Sequence, residues 1–192
     1  MKAGSEQRLA PTLWRTCRTL ANKTRLKIFQ ALLLTPGLSV KQVASTLQMD
    51  MAVASKYLRE LNARGLLLVR REAATVRYWP GADVSMPQTY CLVRALSTTF
   101  RKNREPCVHI FRMTTAFAHP RRIAIVREIA GRPAGSSAIR ARVGISVAAL
   151  RRHLRKLQDR GFVCRQPNGD YTVVSPVSVL GQTLLKLAVS GV

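Results

Sequence analysis

Apolar residues fall at helical spacing in Ala54, Leu58 and Leu61, and Ser55, Lys56 and Arg59 occupy the opposite face. Asp50 stands where a helix N-cap belongs, because its carboxylate can accept from the unpaired first amides. Gly65 stands where a helix C-terminus needs a residue tolerant of positive φ. The preceding Leu47-Gln48-Met49 reads as a three-residue turn, and Leu66 to Val69 as a short apolar strand before Arg70-Arg71. The pattern is therefore a turn, a capped helix with a basic outer face, and a hairpin.

The same pattern returns 96 residues later without a gap, from Val143 to Phe162. Ser146 takes the cap, Leu150, Leu154 and Leu157 the buried face, and Gly161 the terminal glycine. Upstream, Leu20–Ile28 matches Phe117–Ile125 at an offset of 97, so one residue is lost in the loop 131–135. Two copies of one unit organise the chain.

The remaining elements follow in order. Helices are predicted over Leu13–Leu20, Lys23–Leu34 with Asn22 as cap, and from Val40 to Leu47, where Ser39 and Gln42 have capping-box spacing. Strands over Leu67–Arg71 and Val76–Trp79, joined by Glu72–Thr75, form a first wing. Pro87–Lys102 is a helix too apolar to stand alone. Val108–Phe117 and Arg121–Ala130 open the second copy, with His119-Pro120 as cap and first helical position. A tighter wing turning at Pro167–Asp170 carries the hairpin signal Asn168-Gly169, and Val177–Val189 is a last packing helix. The fold class is mainly α with small β-hairpin wings, as two tandem winged helix-turn-helix domains. Residues 1–84 form the first, 85–104 an apolar interdomain or dimerisation helix, and 105–192 the second with its C-terminal helix.

Composition sharpens the functional picture. Lys and Arg number 32 against 9 Asp and Glu, a formal charge of +23, with 47% apolar residues. The surplus is shared: fifteen against five in residues 1–96, seventeen against four in 97–192. Folded units that basic predict a polyanionic partner, most simply double-stranded DNA. No apolar run approaches a membrane span, and no lipidation signal is visible. Cys17, Cys91, Cys107 and Cys164 are scattered, and the acids and histidines too dispersed for a metal or catalytic cluster. The expectation is a protein without a cofactor, and not an enzyme.

In a helix-turn-helix the second helix meets base edges with its N-terminal residues. Here those are Met51 and Ala52 in the first copy and Val147 and Ala148 in the second, which offer only apolar contact to thymine methyls. Direct readout then leans on Ser55, Lys56 and Arg59, and on Arg151, Arg152 and Arg155. Arg70, Arg71 and Arg77 of the first wing, with Lys41 and Arg140 before the two recognition helices, would hold phosphates and fix register. His153 occupies the place of Tyr57 and is read as a packing residue beside this face.

Leu20–Ile28, the helix around Ala54-Ser55-Lys56-Tyr57-Leu58, and Gly65-Leu66 leading into a wing that ends at Tyr78 resemble the ArsR family of bacterial winged-helix repressors. Arg152-His153-Leu154 and Arg160-Gly161-Phe162 fit the same pattern in the second copy. The resemblance implies a transcriptional regulator, a repressor, acting on DNA in the bacterial cytoplasm. Metal-sensing members carry a cysteine pair before the recognition helix. Val40–Ala44 and Ala138–Ala141 hold no thiol, so a non-metal form is expected. Ser55 matches the family's serine, which Arg151 replaces in the second copy. Members usually hold one unit per chain and pair through first and last helices. Two units in one chain suggest an internal pseudo-dimer, or a homodimer, through Pro87–Lys102 and Val177–Val189. The alternatives are an architectural, nucleoid-type DNA binder of low sequence specificity and a winged-helix protein-interaction module.

Overall fold

The computed structural model describes residues 12–82 and 86–190. Residues 1–12, whose sequence reads as a loose arm, lie outside the described residues apart from Thr12.

The first half runs α1 (Leu13–Leu20), α2 (Lys23–Leu34), β1 (Leu38–Ser39), α3 (Val40–Thr46), α4 (Met51–Asn62), β2 (Leu67–Glu72), β3 (Thr75–Pro80) and α5 (Pro87–Lys102). The second runs α6 (Pro106–Phe117), α7 (Pro120–Ala130), α8 (Ser136–Val143), α9 (Val147–Asp159), β4 (Val163–Arg165), β5 (Tyr171–Val173) and α10 (Val179–Ser190). Local chemistry sets these boundaries. Asn22 accepts from the Arg25 amide, and Ser39 and Gln42 close a reciprocal capping box. The Asp50 carboxylate accepts from the Ala52 and Val53 amides at 2.7 and 3.1 Å. His119 caps α7 through Nδ1, and Ser146 caps α9 through its hydroxyl. Gly65 and Gly161 adopt φ of +68° and +77°, the left-handed conformation their positions require.

One detail differs from the sequence reading of the hairpins. The first wing is longer and its turn tighter: Glu72 pairs with Thr75, which leaves only Ala73-Ala74 as the loop, with Ala73 at φ +52°. Side chains at 72 and 75 are polar, so the ladder extends past the apolar run that marked the strands. The second hairpin turns where the sequence places it. Pro167 and Asn168 lie inside a turn closed by the Gly169 amide on the Gln166 carbonyl, and Gly169 alone is left-handed, at φ +91°. β1, too short to be read from the chain, pairs antiparallel with β3, giving a three-stranded sheet in the order β1-β3-β2. At the matching place in the second half a single bridge joins Ala134 to Tyr171.

Buried residues of both halves join in one continuous apolar core. α1 packs on α6 and α5 on α10, so each outer helix meets its own counterpart. Phe29 of α2 stacks on Phe100 of α5 at 5.8 Å, and Phe117 meets Phe162 edge-on at 4.7 Å. The Cys107 thiol donates to Gln30, linking α6 to α2, and Arg127 donates to the Ala188 carbonyl, linking α7 to α10. Pro87–Lys102 was expected to hide its apolar face in an internal or an intermolecular pairing. Leu92, Val93, Ala95 and Leu96 are in fact buried within the chain, as are Leu180, Leu184 and Ala188 of α10. Among the described residues no helix is long and apolar enough to cross a membrane.

Candidate nucleic-acid interface

α3 and α4, and likewise α8 and α9, are pairs of short helices joined by a turn. The turns hold a left-handed residue at corresponding points: Gln48 at φ +49° and Gly144 at φ +63°. In α4, Ala54, Leu58 and Leu61 face the core; in α9, Leu150, His153, Leu154 and Leu157 do. That burial fixes the rotation of each helix and decides which side chains reach solvent.

Met51 and Ala52 are exposed at the start of α4, and Val147 and Ala148 at the start of α9. Met51 and Val147 keep 57% and 58% of their surface, a large exposure for apolar side chains that no local contact demands. Lys56 and Arg59 are exposed and Ser55 half-buried on α4; Arg151, Arg152 and Arg155 are all exposed on α9. Arg59 lies along its own helix, its Nε near the Ser55 carbonyl at 3.4 Å. Lys41 and Arg140 are exposed on α3 and α8. Arg70 and Arg71 are exposed on β2, and Arg70 stacks over the Trp79 ring at 5.5 Å.

Arg77 is the exception among the expected phosphate holders. Its Nη1 donates to the Gly37 carbonyl at 2.9 Å, and its Nε lies 2.7 Å from the Glu72 carboxylate. The guanidinium is half-buried and braces the hairpin against the loop before β1, so it is a structural cross-link of the wing. The sequence could not reveal this, because both partners come from other strands and loops.

Two groups of residues escaped the sequence reading. Arg165, exposed on β4, lies over the Tyr171 ring at 5.9 Å and gives the second hairpin an arginine–aromatic pair like that of Arg70 and Trp79. The second group is a pair of arginine clamps. Arg25 donates from Nε to the Thr19 carbonyl and from Nη2 to the Arg18 carbonyl, closing the end of α1 onto α2. Arg122 repeats this on α6 and α7, donating to the carbonyls of Ala116 and Thr115. Their shared place in the repeat, at an offset of 97, was the available signal.

His119 and His153 sit beside the second clamp with ring centroids 4.7 Å apart. Burial holds the His153 imidazole down to about 4, helped by His119 and by the cations Arg122, Arg152 and Arg121. His119 is lowered by the same causes, burial first and then Arg122. Both rings are neutral at neutral pH. Burial pushes the Cys17 and Cys107 thiols up, while Cys91 and Cys164 are exposed and unpaired.

A short helix pair with an exposed, cationic second helix is a helix-turn-helix, and the second half of the chain carries one. Residues 117–164, from the end of α6 to the start of β4, match a protein-family model described as a helix-turn-helix domain. No curated protein matches the chain.

Proposed function

We propose that this protein is a DNA-binding transcriptional regulator, a repressor of ArsR-like type, that uses two winged helix-turn-helix units in one chain as a pseudo-dimer. The observation that carries the reading is the exposed row Arg151, Arg152 and Arg155 on α9, inside the matched segment, on a chain of charge +23. α4 and α9 are the recognition helices, and Arg151 or Arg152 paired to a guanine contributes about 1–3 kcal/mol of discrimination. Lys41, Arg140, Arg70, Arg71 and Arg165 grip phosphates. The pairing of α1 with α6 and of α5 with α10 supports the pseudo-dimer, because it joins like elements of two similar halves. The helices then enter successive major grooves about 34 Å apart. Since Met51, Ser55 and Lys56 face one half-site and Val147, Arg151 and Arg152 the other, the operator is asymmetric.

A second reading draws on the apolar helix tips, whose side chains have no strong hydrogen-bonding groups to offer to bases. On that reading the protein is an architectural DNA binder with little sequence choice. Binding to its own promoter region and to random duplex, across a salt series, separates the two. A regulator prefers its site by about 10³-fold or more at physiological salt. Equal affinities that fall together with salt establish the architectural role. Absence of binding to either removes both.

A further inference from the structure

The two halves share a scaffold but differ in charge at one place. In the first half the Arg25 guanidinium lies over the Tyr57 ring at 5.4 Å, and its Nη1 pairs with Glu60 at 2.5 Å. The second half repeats the arginine and its two carbonyl contacts through Arg122, yet Lys156 occupies the place of Glu60, His153 that of Tyr57, and His119 that of Asn22. An ion pair has become a cluster of cations.

An open cleft of about 430 Å³ lies between the start of α7 and the flank of α9, and one of about 360 Å³ in the first half is lined by Arg25 and Glu60 with Arg15, Arg18 and Arg64. Arg122, Arg152, Arg155 and Lys156 line the cleft between α7 and α9, and Asp159 is the one acid on its wall. His119 accepts the Arg121 amide at Nδ1, so its neutral ring carries the proton on Nε2, as a donor. His153 is only 6% exposed, and its Nδ1 has no hydrogen-bond partner among the described residues. Four like charges in one cleft repel, and an oxyanion relieves that repulsion. The N-terminal end of the α7 dipole adds to the positive potential there.

We propose that this cleft binds a phosphate-type oxyanion; at the corresponding place in the first half Glu60 already pairs with Arg25. The site stands independently of the DNA reading; only the owner of the phosphate depends on it. A backbone phosphate of bound duplex and a free phosphorylated small molecule present the same chemistry to these residues.

The test is a titration of the full chain with inorganic phosphate alone, following the imidazole ¹⁵N signals of His119 and His153 by NMR. Saturable shifts of both rings at one phosphate per chain are expected. Lys156→Glu, which restores the acid of the first half, weakens binding roughly tenfold or more, while Lys156→Arg retains it. Shifts that never saturate, or equal binding by Lys156→Glu, overturn the proposal. If Lys156→Glu does not fold, as judged by its thermal midpoint, Arg152→Gln at an exposed position gives the same readout. A duplex titration then assigns the owner. Movement of the same two rings, competed by phosphate, identifies a DNA phosphate. A bound duplex that leaves them still identifies a free anion. Duplex that does not bind at all overturns the DNA reading and leaves the phosphate result standing.

Discussion

Gln48 and Gly144 hold the same left-handed position in the two helix-joining turns, at φ +49° and +63°. Glycine adopts this conformation without a Cβ penalty, whereas glutamine does not. The first turn therefore stores strain that the second avoids. Gln48→Gly stabilises the chain by about 1 kcal/mol, and Gly144→Gln destabilises it by about as much. No heavy atom lies within 4 Å of a Cβ built at Gly144, so the loss there reflects backbone conformation and not a clash. Denaturant midpoints at constant slope measure both.

The arginine clamps predict unequal losses. Arg25 is largely covered and serves two backbone carbonyls and Glu60 at once, so Arg25→Ala leaves all three without a partner and costs about 2 kcal/mol or more. Glu60 is more exposed, so Glu60→Ala costs under about 1 kcal/mol. Thermal unfolding of both variants checks the order. A larger loss for Glu60→Ala would show that the ion pair, and not the carbonyl contacts, holds α1 to α2.

The buried histidines set the acid side of the stability profile. The folded pKa of His153 is about 4 and lies below its ordinary value of 6.5, so protonation favours the unfolded chain. Its contribution is complete above pH 6.5 and declines as pH falls from there toward 4. His119 and His109 are lowered too and act in the same direction. His153→Tyr, which installs the residue of the first half, flattens the Tm profile over that window. An unchanged profile would assign the acid limb to other groups.

Under the proposed DNA-binding function the side chains divide by role. Arg151→Ala and Arg152→Ala reduce the preference for the cognate site. Arg71→Ala lowers affinity evenly across sequences and reduces the salt slope by about 1. Arg77→Ala acts through the fold, because its guanidinium is tied to Gly37 and Glu72: it lowers Tm, and affinity falls only as far as the wing loosens. Filter binding across a salt series, beside calorimetry, distinguishes the three outcomes. An even loss for Arg151→Ala would favour the architectural reading.

Much of the local structure was legible in the chain because it rests on short-range chemistry. Asp50, Ser146 and His119 cap the helices they precede, and Gly65 and Gly161 end theirs, since caps and left-handed glycines depend on neighbours three or four residues away. The buried faces of α4 and α9 followed from periodicity for the same reason. Strand ends were less legible. The pairing of Glu72 with Thr75 belongs to the ladder and not to hydrophobicity, and β1 exists only because β3 lies beside it.

The sequence by itself determined the helices, their caps and the side of each that meets the core, because those depend on residues close along the chain. It also determined the charge. Tertiary structure decided which charges are free. Arg77 and Arg151 are the same residue type, yet one is bound to Gly37 and Glu72 while the other is exposed. It likewise decided that Arg122, Lys156, His119 and His153, drawn from two helices, line one cleft. Coulomb energy and burial depend on distance through space, and that distance is set only once the chain has folded.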